Sequence, residues 1–289
     1  MQSLWDAQVK IEKAWPFPGK TNVNISIRDV FATLLVLLAF LVAKYFGPKG
    51  FGVFAFLCVM EPAIVAFPFN VAQSLVLRTP RFWDPLKVEP QLKLLQDSFS
   101  DLRAEALQVL KSGGGTPFSQ VSVHQRRIAG GQPWKVFPFF SYGTRNNENC
   151  AQCPLTSKLL EKIPSIRLAM YSIMEEGTEI KVHCGFFKSV LRVHLTLAVD
   201  QEDTEQKRFI EVGGQRHSWK SGEMICFDDT YPHRVSNKVP GRRLVLFLDV
   251  DRPYEWESSK ALSKLLLWVM QQSPSVKEHA NLQEKSVQT

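Results

Sequence analysis

Residues 190–199 read Val-Leu-Arg-Val-His-Leu-Thr-Leu-Ala-Val, and this stretch alternates between two kinds of side chain. Because successive side chains of a β-strand point to opposite faces, the odd-numbered positions from Leu191 onward form one wholly aliphatic face. The other face carries Arg192, His194 and Thr196. An aliphatic face packs against a core, whereas cationic and hydrogen-bonding groups line a wet cavity. The stretch therefore predicts a barrel strand above a ligand site.

The sequence on both sides of this strand consists of short apolar runs separated by turn residues. Such runs predict further strands, and with Leu191–Val199 the candidates are Trp134–Phe140, Ile166–Met174, Phe209–Val212, Glu223–Phe227 and Leu244–Val250. Gly213-Gly214 and Ser221-Gly222 mark tight turns between strands. About eight short strands with one polar strand face are typical of a double-sheet barrel. We therefore predict a mainly β fold, a double-stranded β-helix of the jelly-roll, cupin-like kind with flanking helices.

Composition divides the chain into five parts. They are an N-terminal segment (1–29), an apolar region (30–77), a linker with an amphipathic helix (78–115), the β-barrel (116–256), and a C-terminal helix with a disordered tail (257–289). Within these parts we expect a linker at residues 84–90. We expect helices at Gln91–Lys111, Thr156–Lys162 and Ser259–Met270, from apolar residues at helical spacing.

The apolar region predicts association with a membrane. Residues 30–77 contain only Lys44, Lys49 and Glu61 as charges, which are too few for the solvated face of a soluble helix pair. Val30–Ala43 is shorter than the roughly 20 apolar residues of a spanning helix, so we expect one span or two short ones. A buried helical hairpin is the alternative. Basic residues flank the region on both sides, so the side of the bilayer that the barrel occupies stays open.

Composition also limits the partners. The chain has 289 residues and 45% hydrophobic residues, enough for a packed core. Its net charge of +7 is scattered, and no stretch interleaves basic and aromatic residues, so we expect no nucleic acid and favour anionic lipid headgroups. Five cysteines do not make a disulfide framework. Cys150 and Cys153 form an isolated C-x-x-C, for which a redox or metal role is the alternative to burial.

Two histidines and an arginine carry the candidate chemistry. His183 lies in His183-Cys184-Gly185, and His233 follows Phe227-Asp228-Asp229-Thr230-Tyr231-Pro232, with Arg243 ten residues beyond. Neutral imidazoles suit Fe(II), and an arginine can hold a carboxylate through two parallel hydrogen bonds. Together they predict an oxygen-activating iron site that uses an α-keto acid.

From Trp134 to Pro253 the sequence resembles the aspartyl/asparaginyl β-hydroxylase family of Fe(II)- and 2-oxoglutarate-dependent dioxygenases. Five blocks match in order: the tryptophan strand with Gly143 and Asn149-Cys150, Pro154-x-Thr156, Tyr171-Ser172-Ile173-Met174 with Gly177-Thr178, and the two histidine blocks. The final Phe247-Leu248-Asp249-Val250-x-x-Pro253 also fits. The resemblance implies a jelly-roll enzyme that uses Fe(II), O2 and 2-oxoglutarate as cosubstrate.

The resemblance also implies residue roles. His183 and His233 match the metal-binding, catalytic histidines. Arg243 and Ser172 match the pair that holds the distal carboxylate of 2-oxoglutarate, and the remaining cofactor-binding matches are Arg192, His194 and Trp134. A third, carboxylate ligand usually stands two residues after the first histidine, where this chain has Gly185. The resemblance implies two-histidine metal binding, and Asp228 and Asp229 are candidates for hydrogen-bond acceptors around it.

Two substrates stay open at this point. The family's peptide hydroxylases also have glycine at the position of Gly185, which favours hydroxylation of a protein side chain. They carry an arginine where this chain has Val190, however, and the family's bacterial lipid A hydroxylases share the order of apolar segment, helix and barrel. An acyl chain of a membrane lipid is therefore the alternative substrate. A non-catalytic cupin-type binding module, motivated by Gly185, and a membrane-interaction protein with the barrel as a soluble head are the alternatives to an enzyme.

Overall fold

The computed structural model describes residues 79–121, 131–185, 187–201, 203, 207–254 and 257–272. The predicted N-terminal segment, the predicted membrane region 30–77 and the predicted tail beyond residue 272 lie outside these ranges. Among the described residues, no helix has both the length and the apolar character needed to cross a bilayer.

Two antiparallel sheets form the body of the described chain. The strands are β1 (Phe82–Trp83), β2 (Thr116–Pro117), β3 (Trp134–Ser141), β4 (Thr144–Arg145), β5 (Ile166–Met174), β6 (Thr178–His183), β7 (Val190–Val199), β8 (Arg208–Val212), β9 (Gln215–His217), β10 (Met224–Phe227), β11 (His233–Asn237) and β12 (Arg243–Asp251). The larger sheet has the order β1-β10-β7-β12-β5-β3-β2, with β4 paired to β3, and the smaller sheet has the order β6-β11-β8-β9. From β5 onward the chain passes repeatedly between the two sheets. This alternation confirms the mainly β, double-sheet jelly-roll prediction.

The helices lie at both ends of the described chain and beside β3. They are α1 (Pro85–Val88), a 3-10 turn (Pro90–Leu92), α2 (Lys93–Asp97), α3 (Phe99–Lys111), α4 (Phe118–Val121), α5 (Asn147–Gln152), α6 (Pro154–Glu161) and α7 (Glu257–Gln272). Leu92, Leu102 and Leu160 from these helices share one buried cluster with the aliphatic face of β7. The aliphatic side chains predicted for one face of β7 therefore pack under helices.

The other face of the larger sheet points toward the smaller sheet. Their shared core contains Val136, Met170, Val245 and Phe247 from the larger sheet and Ile180, Ile210, Val212 and Val235 from the smaller one. On β7, Arg192 and His194 occupy this inner side, opposite the residues that pack on the helices. The predicted division of β7 into an aliphatic face and a polar face is thus observed, and it brings the polar groups between the sheets.

The structure differs from the sequence predictions in three places. Residues 84–90, predicted as a linker, form α1 and the start of the 3-10 turn, because the Asp84 carboxylate accepts the Leu86 N–H and proline occupies the first helical turn. Phe82 and Trp83 pair with β10, so the larger sheet begins well before residue 116. The predicted helix Gln91–Lys111 is divided at Ser98 into α2 and α3.

Glu105 on α3 ties the helical layer together. Its carboxylate accepts the backbone N–H groups of Leu155 and Thr156 at 2.9 and 2.8 Å, and the Thr156 hydroxyl at 2.6 Å. These two amides lie in the first turn of α6, where no carbonyl within the helix can accept them. The contact fixes α6 against the larger sheet, because the fully buried Thr156 hydroxyl also meets the Tyr171 hydroxyl at 2.7 Å.

We expect Glu105→Ala to lower the free energy of unfolding by about 2–3 kcal/mol, since three donors lose their acceptor at once. Chemical denaturation measures this directly. Glu161→Ala is the matched control, because Glu161 pairs with Arg145 where both side chains are about half exposed, and it should cost under about 1 kcal/mol. Equal losses in the two variants would contradict this role for Glu105.

Candidate active site

The two predicted metal-binding histidines face each other on neighbouring strands of the smaller sheet. His233 is the register partner of His183, and their ring centroids lie 4.1 Å apart. Nδ1 of His183 lies 2.8 Å from the Lys181 carbonyl oxygen, and Nδ1 of His233 lies 2.9 Å from that of Tyr231. A carbonyl oxygen can only accept, so each Nδ1 carries the proton and donates it. Both Nε2 atoms therefore keep a free lone pair, as metal ligation requires.

Burial keeps both imidazoles neutral. It lowers the pKa of His183 to about 4, with a smaller contribution from the Arg192 charge. It also lowers the pKa of His233 well below the ordinary value, and the neighbouring His183 adds to that shift. Two neutral imidazoles at neutral pH suit Fe(II). Among the residues that the structure describes, no set of three or more His, Cys, Asp or Glu side chains is placed to hold a metal ion.

The Asp229 carboxylate occupies the space beside Gly185. The Gly185 N–H donates to the Asp229 carbonyl oxygen at 2.7 Å, and a Cβ added to Gly185 would overlap the Asp229 carboxylate. Asp229 Oδ2 pairs with Arg192 at 2.9 Å, whereas the buried Oδ1 has no partner. Burial raises the pKa of Asp229 above its ordinary value. The Asp229 carboxylate thus fills the position that the Cβ of an acidic residue at 185 would occupy.

The neighbouring Asp228 has a different environment. Its Oδ2 meets Lys188 Nζ at 3.2 Å and Arg252 at 2.7 Å, and the Thr79 hydroxyl at 3.3 Å. The two aspartates that the sequence presented as equivalent candidates are therefore separated by the structure. Asp228 fixes the surrounding loops, and Asp229 borders the histidines.

We expect Gly185→Asp to impair the protein instead of completing a three-ligand site. The new carboxylate would overlap that of Asp229, and overpacking of this kind costs about 1–3 kcal/mol before charge repulsion is added. The double variant Gly185→Asp/Asp229→Gly keeps a single carboxylate and should recover most of the lost stability, as measured by thermal unfolding. Stability equal to wild type in the single variant would contradict the close approach of Asp229.

Arg243 is a buried cation that has no counter-ion among the described residues. Its side chain is only 1% exposed, and one amino group donates to the Ser172 hydroxyl at 2.9 Å while the guanidinium stacks over Trp219 at 4.6 Å. Nε and the other amino group are buried without a partner, and no described carboxylate pairs with it. Burial, reinforced by the nearby Arg208 charge, lowers the pKa of Arg243 to about 9. Such a group is the expected partner of a buried anionic ligand.

The other residues predicted to hold 2-oxoglutarate surround Arg243 on the larger sheet. The Trp134 indole N–H donates to the Ser172 hydroxyl at 3.0 Å, and the Trp219 indole N–H donates to His194 Nδ1 at 3.3 Å. The neutral His194 ring therefore carries its proton on Nε2, which is buried without a partner. Burial and then the Arg243 charge hold the pKa of His194 well below its ordinary value. Donors without partners thus come from both Arg243 and His194.

Arg192 differs from Arg243 because it is fully paired. It contacts Asp229 and also Asp249, whose Oδ1 lies 2.9 Å from Nε, and it stacks over Phe247 at 4.5 Å. The Tyr142 hydroxyl donates to Asp249 at 3.1 Å. The structure places Arg192 beside the histidines through Asp229, and its predicted contact with 2-oxoglutarate stays a prediction.

Sequence reasoning assigned no role to Asp249 or Trp219. An acid inside the otherwise apolar strand β12 was the available signal for Asp249, which is the register partner of Arg192. The contacts of Trp219 with His194 and Arg243 depend on a loop that no strand pattern locates. Cys150 and Cys153 are buried, and burial raises the pKa of Cys150 above its ordinary value and that of Cys153 to about 12. That environment is the reverse of a reactive thiolate site.

The fold and the site together define a cupin-like protein with two paired histidines, the candidate metal ligands, and a buried arginine with unpaired donors, the candidate anion ligand. Comparison with known families agrees. The family model described as aspartyl/asparaginyl beta-hydroxylase matches residues 96–253, more than half of the chain. The chain belongs to the aspartyl/asparaginyl β-hydroxylase family.

Relatives within and around this family differ in substrate. The ornithine lipid ester-linked acyl 2-hydroxylase of Rhizobium tropici is 30% identical over 216 residues, covering 72% of this chain and 74% of that protein. The aspartyl/asparaginyl beta-hydroxylase of Homo sapiens is 27% identical over 184 residues, covering 61% of this chain and only 23% of that protein. A solved prolyl hydroxylase from Trichoplax adhaerens, in complex with a hypoxia inducible factor peptide fragment, aligns over 58% of this chain and 82% of its own, with 13% identity and a TM-score of 0.37.

Proposed function

We propose that this protein is a membrane-anchored hydroxylase that depends on Fe(II) and 2-oxoglutarate. The single observation that carries the proposal is Arg243, a buried guanidinium with unpaired donors. Arg243 and His233, one of the two paired imidazoles, both lie close enough to His194 to act on its ring. A structural arginine would be expected to pair with protein acceptors, as the fully buried Arg208 does with Asn237 and two carbonyl oxygens. An arginine that binds a dicarboxylate has donors without partners when the ligand is absent, as Arg243 does.

Each residue then has a defined task. His183 and His233 hold the iron through Nε2, because their Nδ1 protons are committed to backbone carbonyls. Arg243 and Ser172 hold the distal carboxylate of 2-oxoglutarate, and Trp134 orients Ser172. When bound, iron and 2-oxoglutarate supply an oxidant from O2 by oxidative decarboxylation to succinate, and that oxidant hydroxylates a C–H bond.

Asp229 and Arg192 organise the space around the histidines. Arg192 fixes one oxygen of Asp229 and leaves Oδ1 available to accept a hydrogen bond from a ligand or water at the metal. The two paired aspartates also neutralise Arg192. An anionic substrate side chain would therefore have to compete with Asp229 and Asp249 for this guanidinium.

The substrate that the structure favours is a lipid acyl chain. Val190 is 2% exposed and packs with Phe187, Leu266 and Leu267, so the position that carries an arginine in peptide hydroxylases is part of an apolar cluster. Val190 cannot pair with an anion and Arg192 is already paired with Asp229 and Asp249, so neither position offers an unpaired cation to an anionic substrate side chain. The lipid hydroxylase of Rhizobium tropici, matched over most of its length, supports the same choice. Hydroxylation of a protein side chain is the second candidate, favoured by Gly185.

The test supplies the full chain in detergent with Fe(II) and 2-oxoglutarate, and then with either a membrane lipid extract or a peptide library. We expect succinate to form and one oxygen atom to be added to an acyl chain, detected by mass spectrometry. Oxygen in the peptides alone would overturn the lipid assignment and leave the hydroxylase in place. Binding of both iron and 2-oxoglutarate without succinate from either pool would overturn the hydroxylase proposal in favour of a binding module.

A further inference from the structure

Helix α7 exposes an apolar stripe on the side that faces away from the barrel. Leu265 and Trp268 are 55% and 56% exposed, and the exposed Ala261 lies one turn before Leu265. Residues spaced by four and three positions share one face of a helix. The other exposed large hydrophobic side chains among the described residues are Leu94, at 38%, and Val182, at 40%. We call Ala261, Leu265 and Trp268 the outer stripe.

The opposite side of α7 packs beside the candidate active site. Leu266 and Leu267 are buried against Phe187 and Val190. Phe187 belongs to the loop that follows His183, and Val190 begins the strand that carries Arg192 and His194. The helix is therefore attached to the rim of the site by its buried side, and its outer stripe is directed outward from that rim.

Thr79, which follows the uncharged sequence 63–77 by two residues, contacts the barrel at the same rim. Thr79 is the first described residue, and its carbonyl oxygen accepts the Tyr231 hydroxyl at 2.7 Å while its own hydroxyl donates to Asp228. Asp228 in turn pairs with Lys188, the residue after Phe187, and with Arg252, whose guanidinium donates to the Lys188 carbonyl oxygen. Direct contacts thus connect Thr79, two residues after the apolar sequence, to the loop on which α7 packs.

We propose that the outer stripe of α7 docks on the surface of an anionic lipid bilayer and holds the rim of the site against it. Tryptophan and leucine beside lysine form the surface that inserts at the boundary of headgroups and acyl chains. Lys264 is exposed on the same side of the helix and has no ion pair among the described residues, whereas Lys260 is paired with Glu257 at 3.4 Å. Lys264 supplies the attraction to anionic headgroups.

Docking would bring the site to its lipid substrate, and this consequence rests on the proposed function. With the rim against the bilayer, the loop that follows His183 and the start of β7 would lie next to the lipid acyl chains. The docking itself requires neither iron nor 2-oxoglutarate, so it is tested separately from catalysis.

The experiment places the full chain in nanodiscs whose lipids are one-quarter anionic and carry bromine on their acyl chains, which quenches nearby tryptophan. The chain has seven tryptophans, so the emission of wild type minus that of Trp268→Phe isolates Trp268. We expect bromine to remove more than half of the Trp268 emission. Lys264→Gln should lower the ratio of docked to undocked protein about fivefold, corresponding to one lost lysine near the surface.

Lys238→Gln is the matched control, because Lys238 is an exposed lysine beyond the end of β11 opposite to His233. It should leave the quenching unchanged. Unquenched Trp268 emission in the brominated nanodiscs overturns the proposal. If a second copy covers the outer stripe, crosslinking detects dimers. If residues 273–289 cover it, quenching begins only after their deletion. Succinate formation measured on the same samples reports on the hydroxylase proposal independently.

Discussion

Replacement of Arg243 by methionine is expected to abolish 2-oxoglutarate binding while leaving the ligand-free protein at least as stable as wild type. The two effects have the same cause. Burial lowers the pKa of Arg243 to about 9, so at neutral pH the folded protein holds a cation in surroundings that disfavour it. By linkage this costs stability on the order of a few kcal/mol, which is recovered only when an anion binds.

The expected loss of affinity follows from removing one partner of a buried charge pair. Such truncations cost about 2–5 kcal/mol, so the dissociation constant for 2-oxoglutarate should rise by a factor between about 30 and several thousand. Isothermal titration with the metal-loaded protein measures the affinity, and denaturant unfolding of the ligand-free protein measures the stability. Arg243→Lys should bind weakly, since an ammonium cannot supply two parallel hydrogen bonds.

Arg208→Met is the matched control. Arg208 is also fully buried, but it donates to Asn237 at 2.7 Å and to the Gln201 carbonyl oxygen at 2.6 Å. Its loss should destabilise the protein by about 2–4 kcal/mol, because buried acceptors lose a charged donor. A loss of similar size in Arg243→Met, without a change in 2-oxoglutarate affinity, would make Arg243 a structural residue and contradict its assignment.

Loss of either histidine is expected to lower Fe(II) affinity by more than about 100-fold, since even the outer partners of metal ligands typically contribute 10–100-fold. With only two protein ligands, His183→Ala and His233→Ala should each abolish succinate formation. Equilibrium dialysis of Fe(II) under anaerobic conditions measures the first effect. His217→Ala is the control, because that ring lies on β9 beside Phe82, and it should bind Fe(II) like wild type.

The same pair predicts how metal binding depends on pH. Metal binds the neutral imidazole, and an ordinary histidine would begin to lose it to protons below about pH 6.5. Burial lowers the pKa of His183 to about 4 and that of His233 still further below its usual range. Fe(II) affinity should therefore stay nearly constant from pH 8 to about pH 5.5. A tenfold fall across that interval would show that the rings are protonated there and are not held neutral.

The sequence allowed the larger sheet to be predicted well, because its strands have a continuous aliphatic face. Ile166–Met174 agrees with β5 at both ends, and the predicted strand at Leu191–Val199 lacks only Val190. The strands of the smaller sheet were harder. β11 reads His-Arg-Val-Ser-Asn, with a single aliphatic residue, although four of its five side chains are buried. The histidines themselves were evident, whereas the strands that carry them were not among the predicted ones.

The details of the site depend on contacts that a linear pattern does not contain. Gly185 and Asp229 lie 44 positions apart in the sequence, yet they are hydrogen-bonded and the Asp229 carboxylate fills the space beside Gly185. The absence of a described counter-ion for Arg243 likewise depends on the packing of several strands. Residues 84–90 were assigned as a linker from their prolines, although Asp84 and Pro85 also form a helix start.

These contacts change how Gly185 is interpreted. From the sequence, glycine at this position motivated a non-catalytic module, because a carboxylate ligand was absent. In the structure the space beside Gly185 holds the carboxylate of Asp229, which pairs with Arg192, and Arg192 is held in turn by Asp249. Glycine is therefore the residue that this arrangement requires, and its presence is compatible with a working two-histidine site.

The most direct test of the site is an anaerobic titration of 2-oxoglutarate into the full chain, with and without Fe(II), because it does not require knowledge of the final substrate. We expect one 2-oxoglutarate to bind per chain, and Fe(II) should strengthen this binding. The binding should be lost in both Arg243→Met and the double variant His183→Ala/His233→Ala. Binding of equal strength in wild type and Arg243→Met, or binding indifferent to iron and to both histidines, would contradict this expectation.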